Sequence, residues 1–378
     1  MSSDLHENKT ASNQSLPGQS LPGQSLPVSI PAWMSQIQAA QSILAHHMSP
    51  APLIRSYALE RALGLAPDRR VWIKDYGWTP VGSFKLMGAL YWMSQHAPNL
   101  NGRPVAAHSS GNFASGLSYA GHRYNKRVII VMPESAPKIK FEHTKRYGAD
   151  VRTYDITTDH ITGVRDRLAK EISEQEHALQ ASPYDDPLVI AGNGVGGLEI
   201  VQSLQAAGRN LSHFVCAVSG GGLMAGHALA IAHGFPHAQI IGVEPEQADD
   251  FRRSRVEQTR VRLPKPTSIC DGLLSYDVGT NNWPILQSLV SDSVVCSDDE
   301  TRAAMAWLYR YHGLRTEPSG AITIASLLQG KFSIDPSNTP ADARVGGSVA
   351  RDETGDIVVV LSGRNIDEPV FQSYIQDL

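Results

Sequence analysis

Lys85 is the only ionisable side chain in the stretch from Trp78 to Ala89, where every other residue is small, apolar or a hydroxyl. Pro80 and Gly82 interrupt a strand-like run, Arg70 to Lys74, and Ser83 is a suitable N-cap for the amphipathic run Leu86 to Gln95. This spacing puts Lys85 in the first turn of a helix, where the positive end of the dipole disfavours an ammonium. Burial beside Phe84 and Trp78 would act in the same direction and leave a neutral amine. A neutral lysine amine can form a carbon–nitrogen double bond with an aldehyde. An ordinary lysine on the solvent face of a first turn would use the same letters.

Three further stretches carry residues suited to binding. Val105 to His108 runs into Ser109-Ser110-Gly111-Asn112, Ala217-Val218 into Ser219-Gly220-Gly221-Gly222, and Val358 to Leu361 into Ser362-Gly363-Arg364-Asn365. Ligands of open α/β sheets bind beyond the carboxyl ends of the strands. Glycine-rich turns entering helices offer backbone N–H groups to anions, so the triple-glycine turn suits a phosphate. A tight strand–helix turn that simply needs small residues is the other explanation. Gly192, Gly194 and Gly197 match G-x-G-x-x-G after an apolar run, Leu188 to Ala191, that reads as a strand. The next strand ends without the acidic residue a dinucleotide fold needs, so the match is weak. His46-His47 is the one adjacent histidine pair, and it reads as a helix end rather than a ligand set.

The elements that must position these residues follow from the apolar pattern. Strand-like runs are Val105 to Ala107, Val128 to Met132, Val151 to Tyr154, Phe214 to Val218, Ile240 to Val243 and Ile357 to Leu361. Helical periodicity appears in Met34 to His46, Phe113 to Tyr124, Ile139 to Tyr147 and Ile161 to Ser173. It recurs in Gly196 to Ala207, Leu223 to His233, Asp298 to His312 and Ile322 to Gln329. β-Branched runs alternating with helices indicate an α/β fold with parallel sheet covered on both faces.

With 378 residues, 42% hydrophobic and 19% charged, the chain suits two lobes with large cores. A net charge of −4 without basic runs argues against nucleic acid and anionic membranes as partners. No stretch approaches a membrane span, and the polar start Met1 to Gln14 has no apolar signal core. Cys216, Cys270 and Cys296 are odd in number and far apart, which fits a reducing compartment and a cytoplasmic protein. Ser-Leu-Pro-Gly-Gln repeats at Ser15 and Ser20, so residues 1–30 read as a disordered low-complexity tail. Ser333 to Thr354 reads as a surface excursion, and no appended regulatory domain is expected after Ser362.

Gly-Ser-Phe-Lys85, Ser-Ser-Gly-Asn112, Ser219-Gly-Gly-Gly-Leu223 and Leu361-Ser-Gly-Arg-Asn365 occur in an order that resembles the fold type II pyridoxal-phosphate enzymes, the tryptophan-synthase-β superfamily. Within it, the chain looks like the serine/threonine dehydratase, serine racemase and hydroxyaspartate dehydratase group. Val131 to Lys140, Tyr147-Gly-Ala-Asp150, Pro183-Tyr-Asp-Asp-Pro187, Asp271-Gly-Leu273 and Glu317-Pro-Ser-Gly-Ala321 support the resemblance, which runs from about Ile43 to Asp367. It implies two open, mostly parallel sheets flanked by helices, with the cofactor between two domains. Residues 31–103 and 184–378 would form the large domain and 104–183 a small mobile one. A homodimer acting on an amino acid is also implied.

The resemblance assigns roles residue by residue. Lys85 would carry pyridoxal phosphate through a Schiff base and then take the substrate's Cα proton. Phe84 would pack by the ring, and Asn112 would hydrogen-bond the ring oxygen. Ser219, Gly220, Gly221, Gly222 and Leu223 would cradle the phosphate. Ser362 would face the pyridine nitrogen. Ser109 and the backbone of Ser110, Gly111, Asn112 and Phe113 would bind the substrate carboxylate, an arrangement the helix dipole favours by roughly 0.3–2 kcal/mol. A serine at position 362 tolerates a neutral nitrogen, where a carboxylate would deepen the electron sink. That choice favours loss of a β-hydroxyl. Ser110 would place a hydroxyl opposite Lys85, able to move a proton there, or would only stabilise the loop. Glu244, the Ala248 carbonyl and Asp250 resemble the group's site for Mg²⁺ or Ca²⁺. An acidic strand end explains the same letters.

Several residues depart from the group's pattern. Phe113 replaces a histidine and Ser115 a glutamine or similar, both in the carboxylate loop. Met87 replaces an arginine. Arg364 replaces a glycine, and would receive a second substrate carboxylate or point to solvent. The expected activity is β-elimination of serine, threonine or 3-hydroxyaspartate to a 2-oxo acid and ammonia. A racemase, a β-replacement synthase and a catalytically silent cofactor-binding protein are the alternatives, with a nicotinamide dehydrogenase resting on Gly192 alone.

Overall fold

The computed structural model describes residues 28–109, 111–155, 157, 162–334 and 355–378. Ten strands lie among them. They are β1 (Leu53–Arg55), β2 (Val71–Asp75), β3 (Val105–His108), β4 (Val128–Pro133) and β5 (Asp150–Tyr154), followed by β6 (Leu179–Gln180), β7 (Leu211–Ala217), β8 (Gln239–Pro245), β9 (Asp292–Cys296) and β10 (Asp356–Leu361). One sheet has the order β1-β2-β10-β7-β8-β9 and the other β5-β4-β3-β6. Only the β1–β2 pairing is antiparallel. Strands β4, β7 and β10 are buried along their whole length, as β-branched runs covered by helices on both faces must be. The α/β expectation with two mostly parallel sheets therefore holds.

The run Leu188 to Ala191 is not a strand. It opens the twenty-residue helix Pro187–Ala206, with Pro187 in the first turn and Asp186 accepting from the Leu188 and Val189 N–H groups at 2.7 and 3.4 Å. This helix is apolar nearly all round because it is sandwiched between neighbours, so its short apolar run imitates a buried strand. Its glycines serve contact rather than nucleotide binding. A Cβ at Gly192 would lie 2.7 Å from the Met87 carbonyl oxygen, and one at Gly194 2.6 Å from Ile37. Met87 is thus core, packed where helix Lys85–His96 crosses helix Pro187–Ala206.

The remaining boundaries move by a few residues, helix Ile30–Leu44 standing for Met34 to His46 and Pro318–Leu328 for Ile322 to Gln329. His46 and His47 follow the first of these helices, and His47 Nε2 meets the Tyr124 hydroxyl at 3.0 Å. Short elements without clear periodicity, β1, β9 and helices Asp250–Glu257 and Asn282–Leu289, are additional. Residues 1–27 and 335–354 lie outside the described residues, and with them nearly all of the low-complexity tail and the surface excursion. The three cysteines are buried and free. Among the described residues no helix is long and apolar enough to cross a membrane.

Candidate active site

A cavity of about 550 Å³ opens at the carboxyl ends of β3, β7 and β10, between the two sheets. Lys85, Phe84, Ser109, Gly111, Asn112, Phe113, Ser219 to Leu223 and Ser362 all line it. The two sheets thus bring together stretches that lie more than 270 residues apart in sequence.

Lys85 is the first residue of helix Lys85–His96. Ser83 is not its N-cap: Phe84 occupies that position, while Ser83 bridges to Gly363 through the backbone and its buried hydroxyl has no partner. The preceding turn is held instead by Thr79, whose Oγ1 donates to the Ser83 carbonyl at 2.8 Å and accepts from its N–H at 3.0 Å. Gly82, at φ +70, reverses the chain there. Trp78 does not bury the lysine; it is 64% exposed and stacks under Arg364. The apolar walls are Phe84 and Phe113, their ring centres 5.0 and 5.9 Å from Nζ. Desolvation lowers the Lys85 pKa from 10.5 to about 8, and Nζ donates to the Pro183 carbonyl at 2.8 Å.

Beyond β7, Ser219 (φ +53) and Gly221 (φ +95) bend the chain into helix Gly222–Gly234. A Cβ at Gly220 would fall 2.5 Å from the Tyr184 ring, and one at Gly222 2.5 Å from the Tyr184 carbonyl oxygen. Asn282 Nδ2 donates to the Gly220 carbonyl at 2.7 Å, and the Gly279 N–H reaches it at 3.0 Å. Ser219 Oγ meets Ser275 Oγ at 2.9 Å. With that carbonyl tied outward, the helix's first N–H groups, which lack intrahelical partners, are left for an anion.

Ser362, at the end of β10, is buried and donates to the Ser319 carbonyl at 3.1 Å. Asn112 starts helix Asn112–Arg123, its Nδ2 donating to Glu317 Oε1 at 2.7 Å and its Oδ1 accepting from Asn365 at 2.8 Å. Ser109 Oγ accepts from the Gly111 and Ala114 N–H groups at 3.3 and 3.1 Å, so it caps that helix and keeps its own O–H free to donate. Ser110 lies outside the described residues. Ser115 is not on the cavity wall; its hydroxyl is buried against the Lys140 carbonyl at 3.4 Å. Arg364 also faces elsewhere, its Nε 3.5 Å from Asp75, so it receives no second carboxylate in this cavity and is not a solvent-pointing side chain.

Sequence reasoning assigned no role to Lys140, Asp271 and Glu317. The letters of Glu317-Pro-Ser and Asp271-Gly-Leu mark a resemblance, but an ion pair across 131 residues leaves no local pattern.

Glu244 lies near the end of β8 and Ala248 and Asp250 just beyond it, all apart from the cavity. Glu244 accepts from the Phe251 and Arg252 N–H groups at 2.9 and 2.8 Å, whereas both buried Asp250 oxygens have no hydrogen-bond partner. Burial raises the Asp250 pKa to about 8 and holds Glu244 well above the carboxylate range. Among the described residues there is no group of three or more His, Cys, Asp or Glu placed for a metal ion.

The profile of the pyridoxal-phosphate dependent enzymes matches residues 44–339, and the chain belongs to that family. Its fold is that of the fold type II members. The tomato (Solanum lycopersicum) threonine deaminase isoform 2 structure superposes with a TM-score of 0.78 at 28% identity, covering 96% of this chain and 98% of that one. The chain is 31% identical to the L-threonine ammonia-lyase of Geobacter sulfurreducens, over 88% of this chain and 75% of the relative. It is also 31% identical to the serine racemase of Arabidopsis thaliana, over 88% and 92%.

Proposed function

We propose that this chain is a pyridoxal-phosphate-dependent ammonia-lyase that eliminates the β-hydroxyl of serine, threonine or 3-hydroxyaspartate, releasing a 2-oxo acid and ammonia. The observation that carries this reading is one cavity holding a lysine amine of lowered pKa, a glycine turn at a helix N-terminus and a serine hydroxyl at the end of β10. These donors fit a phosphorylated aldehyde: amine for the aldehyde carbon, N–H groups for the phosphate, hydroxyl for a ring nitrogen. When bound, the cofactor supplies the electron sink that makes the substrate's Cα proton removable.

Each residue contributes a defined step. Ser219 to Leu223 hold the phosphate through backbone donors. Lys85, whose pKa of about 8 leaves a fraction of its amine neutral at physiological pH, would anchor the aldehyde and, once freed, take the Cα proton. Asn112 offers its second amide hydrogen to the ring oxygen, and Phe84 flanks the ring. Ser362 would turn its single O–H from the Ser319 carbonyl to the ring nitrogen and, being uncharged, would leave that nitrogen unprotonated, which favours loss of a β-hydroxyl. Ser109 to Phe113 would receive the substrate carboxylate, with Phe113 adding an apolar wall beside it. Ser110 is assigned a second proton transfer. Residues 104–183 act as a small domain that closes over the substrate, and the functional unit is a homodimer in the cytoplasm. A panel assay for ammonia and 2-oxo acid tests the reaction. Racemisation is the second reading, favoured by the equal identity to a serine racemase, and chiral analysis of residual serine separates the two.

A divalent cation at Glu244, the Ala248 carbonyl and Asp250 is part of the proposal. Two buried Asp250 oxygens without partners fit an oxygen-seeking Mg²⁺ or Ca²⁺, and Glu244 Oε1, which accepts from the Phe251 N–H alone, retains a lone pair for it.

A further inference from the structure

Of the cations on the cavity wall that have no place in the roles above, Arg262 and Lys265 are exposed and Lys140 is buried. Lys140, in helix Lys138–Arg146, is 2% exposed, and its Nζ lies 2.6 Å from Asp271 Oδ2 and 2.9 Å from Glu317 Oε2. Burial opposes its charge, but the two carboxylates outweigh that and keep it an ammonium. Such an ion pair seldom adds net stability over an apolar replacement, so folding alone does not account for it.

Its partners come from the other sheet. Glu317 immediately precedes helix Pro318–Leu328, which packs on β7, β8, β9 and β10, whereas the helix bearing Lys140 packs beside β5 and helix Asn112–Arg123. Two connections run from Lys140 into the site. Its aliphatic stem lies under the substrate loop, where a Cβ on Gly111 would sit 2.4 Å from Cδ. Its ammonium holds Glu317, which takes the Asn112 amide at 2.7 Å. Asn365 then joins Asn112 to the Val81 carbonyl, each at 2.8 Å, in the turn before Lys85.

We propose that Lys140 is a positioning residue: docked between Asp271 and Glu317, it fixes the Asn112 amide and the 109–113 loop, so cofactor and substrate subsites form only when the two sheets' helices meet there. The inference rests on the cofactor reading above and names a device within that site.

Lys140→Met keeps the stem and deletes the charge. In the full chain, titration of the cofactor-free protein with pyridoxal phosphate should give a dissociation constant raised about tenfold or more. With the loaded protein, kcat/KM should fall about a hundredfold, the size expected when reacting groups are displaced by about an ångström. KM should carry part of the loss, borohydride should still fix the cofactor on Lys85, and Lys140→Arg should recover most of both constants. A merely structural lysine would lower the yield of folded protein without altering these constants. Constants within roughly threefold of the unsubstituted protein overturn the proposal. If Lys140→Met does not fold, Glu317→Gln, which keeps an acceptor for Asn112, decides: raised constants support the proposal and unchanged ones refute it. Were the unsubstituted protein to release no ammonia, the lyase reading would fail while the cofactor titration still judged Lys140.

Discussion

Lys85 illustrates how an environment, more than a residue type, makes a nucleophile. Two aromatic rings and a carbonyl surround its amine, and desolvation brings its pKa to about 8. The neutral form is the one that attacks an aldehyde, so capture of pyridoxal phosphate by the cofactor-free protein should quicken as pH rises, reach half its maximum near about 8, and level off above. Stopped-flow absorbance checks this, and a rate independent of pH between 7 and 9 would contradict it. The same depression has a stability consequence. Between about 8 and 10.5 the unfolded chain binds more protons at this position than the folded one, so this group's contribution raises stability with pH across that window. Ser362→Asp should hold the ring nitrogen protonated and reduce ammonia release by about tenfold or more while leaving cofactor bound; an unchanged rate would show that the hydroxyl has no electronic role.

At the scale of elements, the crossing of helices Lys85–His96, Pro187–Ala206 and Gly222–Gly234 sets where Lys85 and the phosphate turn sit. These helices approach so closely that a Cβ on Gly226 would lie 2.4 Å from the Ile190 carbonyl oxygen. Gly226→Ala should therefore cost about 1–3 kcal/mol or more in denaturant unfolding and loosen the turn that begins its helix. A loss under about 0.5 kcal/mol would mean the crossing yields easily. The crossing also shows where sequence reading succeeds and where it stops. The strands that lead towards Lys85, Ser219 and Ser362 announce themselves because β-branched runs followed by small residues form turns through local chemistry. The opening of helix Pro187–Ala206, Leu188 to Ala191, reads as a strand because burial on all sides erases its periodicity, whereas the later part from Gly196 reads as the helix it is. Ser83 makes a good N-cap by type, yet Thr79 and the Ser362–Gly363 backbone decide that turn from elsewhere in the chain. Lys140 and its two carboxylates were legible only as isolated letters, since their meaning lies in a contact across two sheets.

For the whole molecule, the site is a cleft between two sheets, with a separate pair of buried acids, Glu244 and Asp250, at the carboxyl end of β8. Both Asp250 oxygens face burial without a partner, a condition a divalent cation would relieve. Millimolar Mg²⁺ or Ca²⁺ should raise the thermal midpoint of the protein by several degrees, and Asp250→Ala should abolish the response. A midpoint indifferent to both ions would remove the cation from the account. The cleft itself is judged by what leaves it. Loaded protein should release equal amounts of ammonia and 2-oxo acid from at least one of serine, threonine and 3-hydroxyaspartate, and Lys85→Ala should release neither. Absence of both products from all three amino acids, in protein shown to carry the cofactor on Lys85, would contradict elimination as the reaction of this cavity.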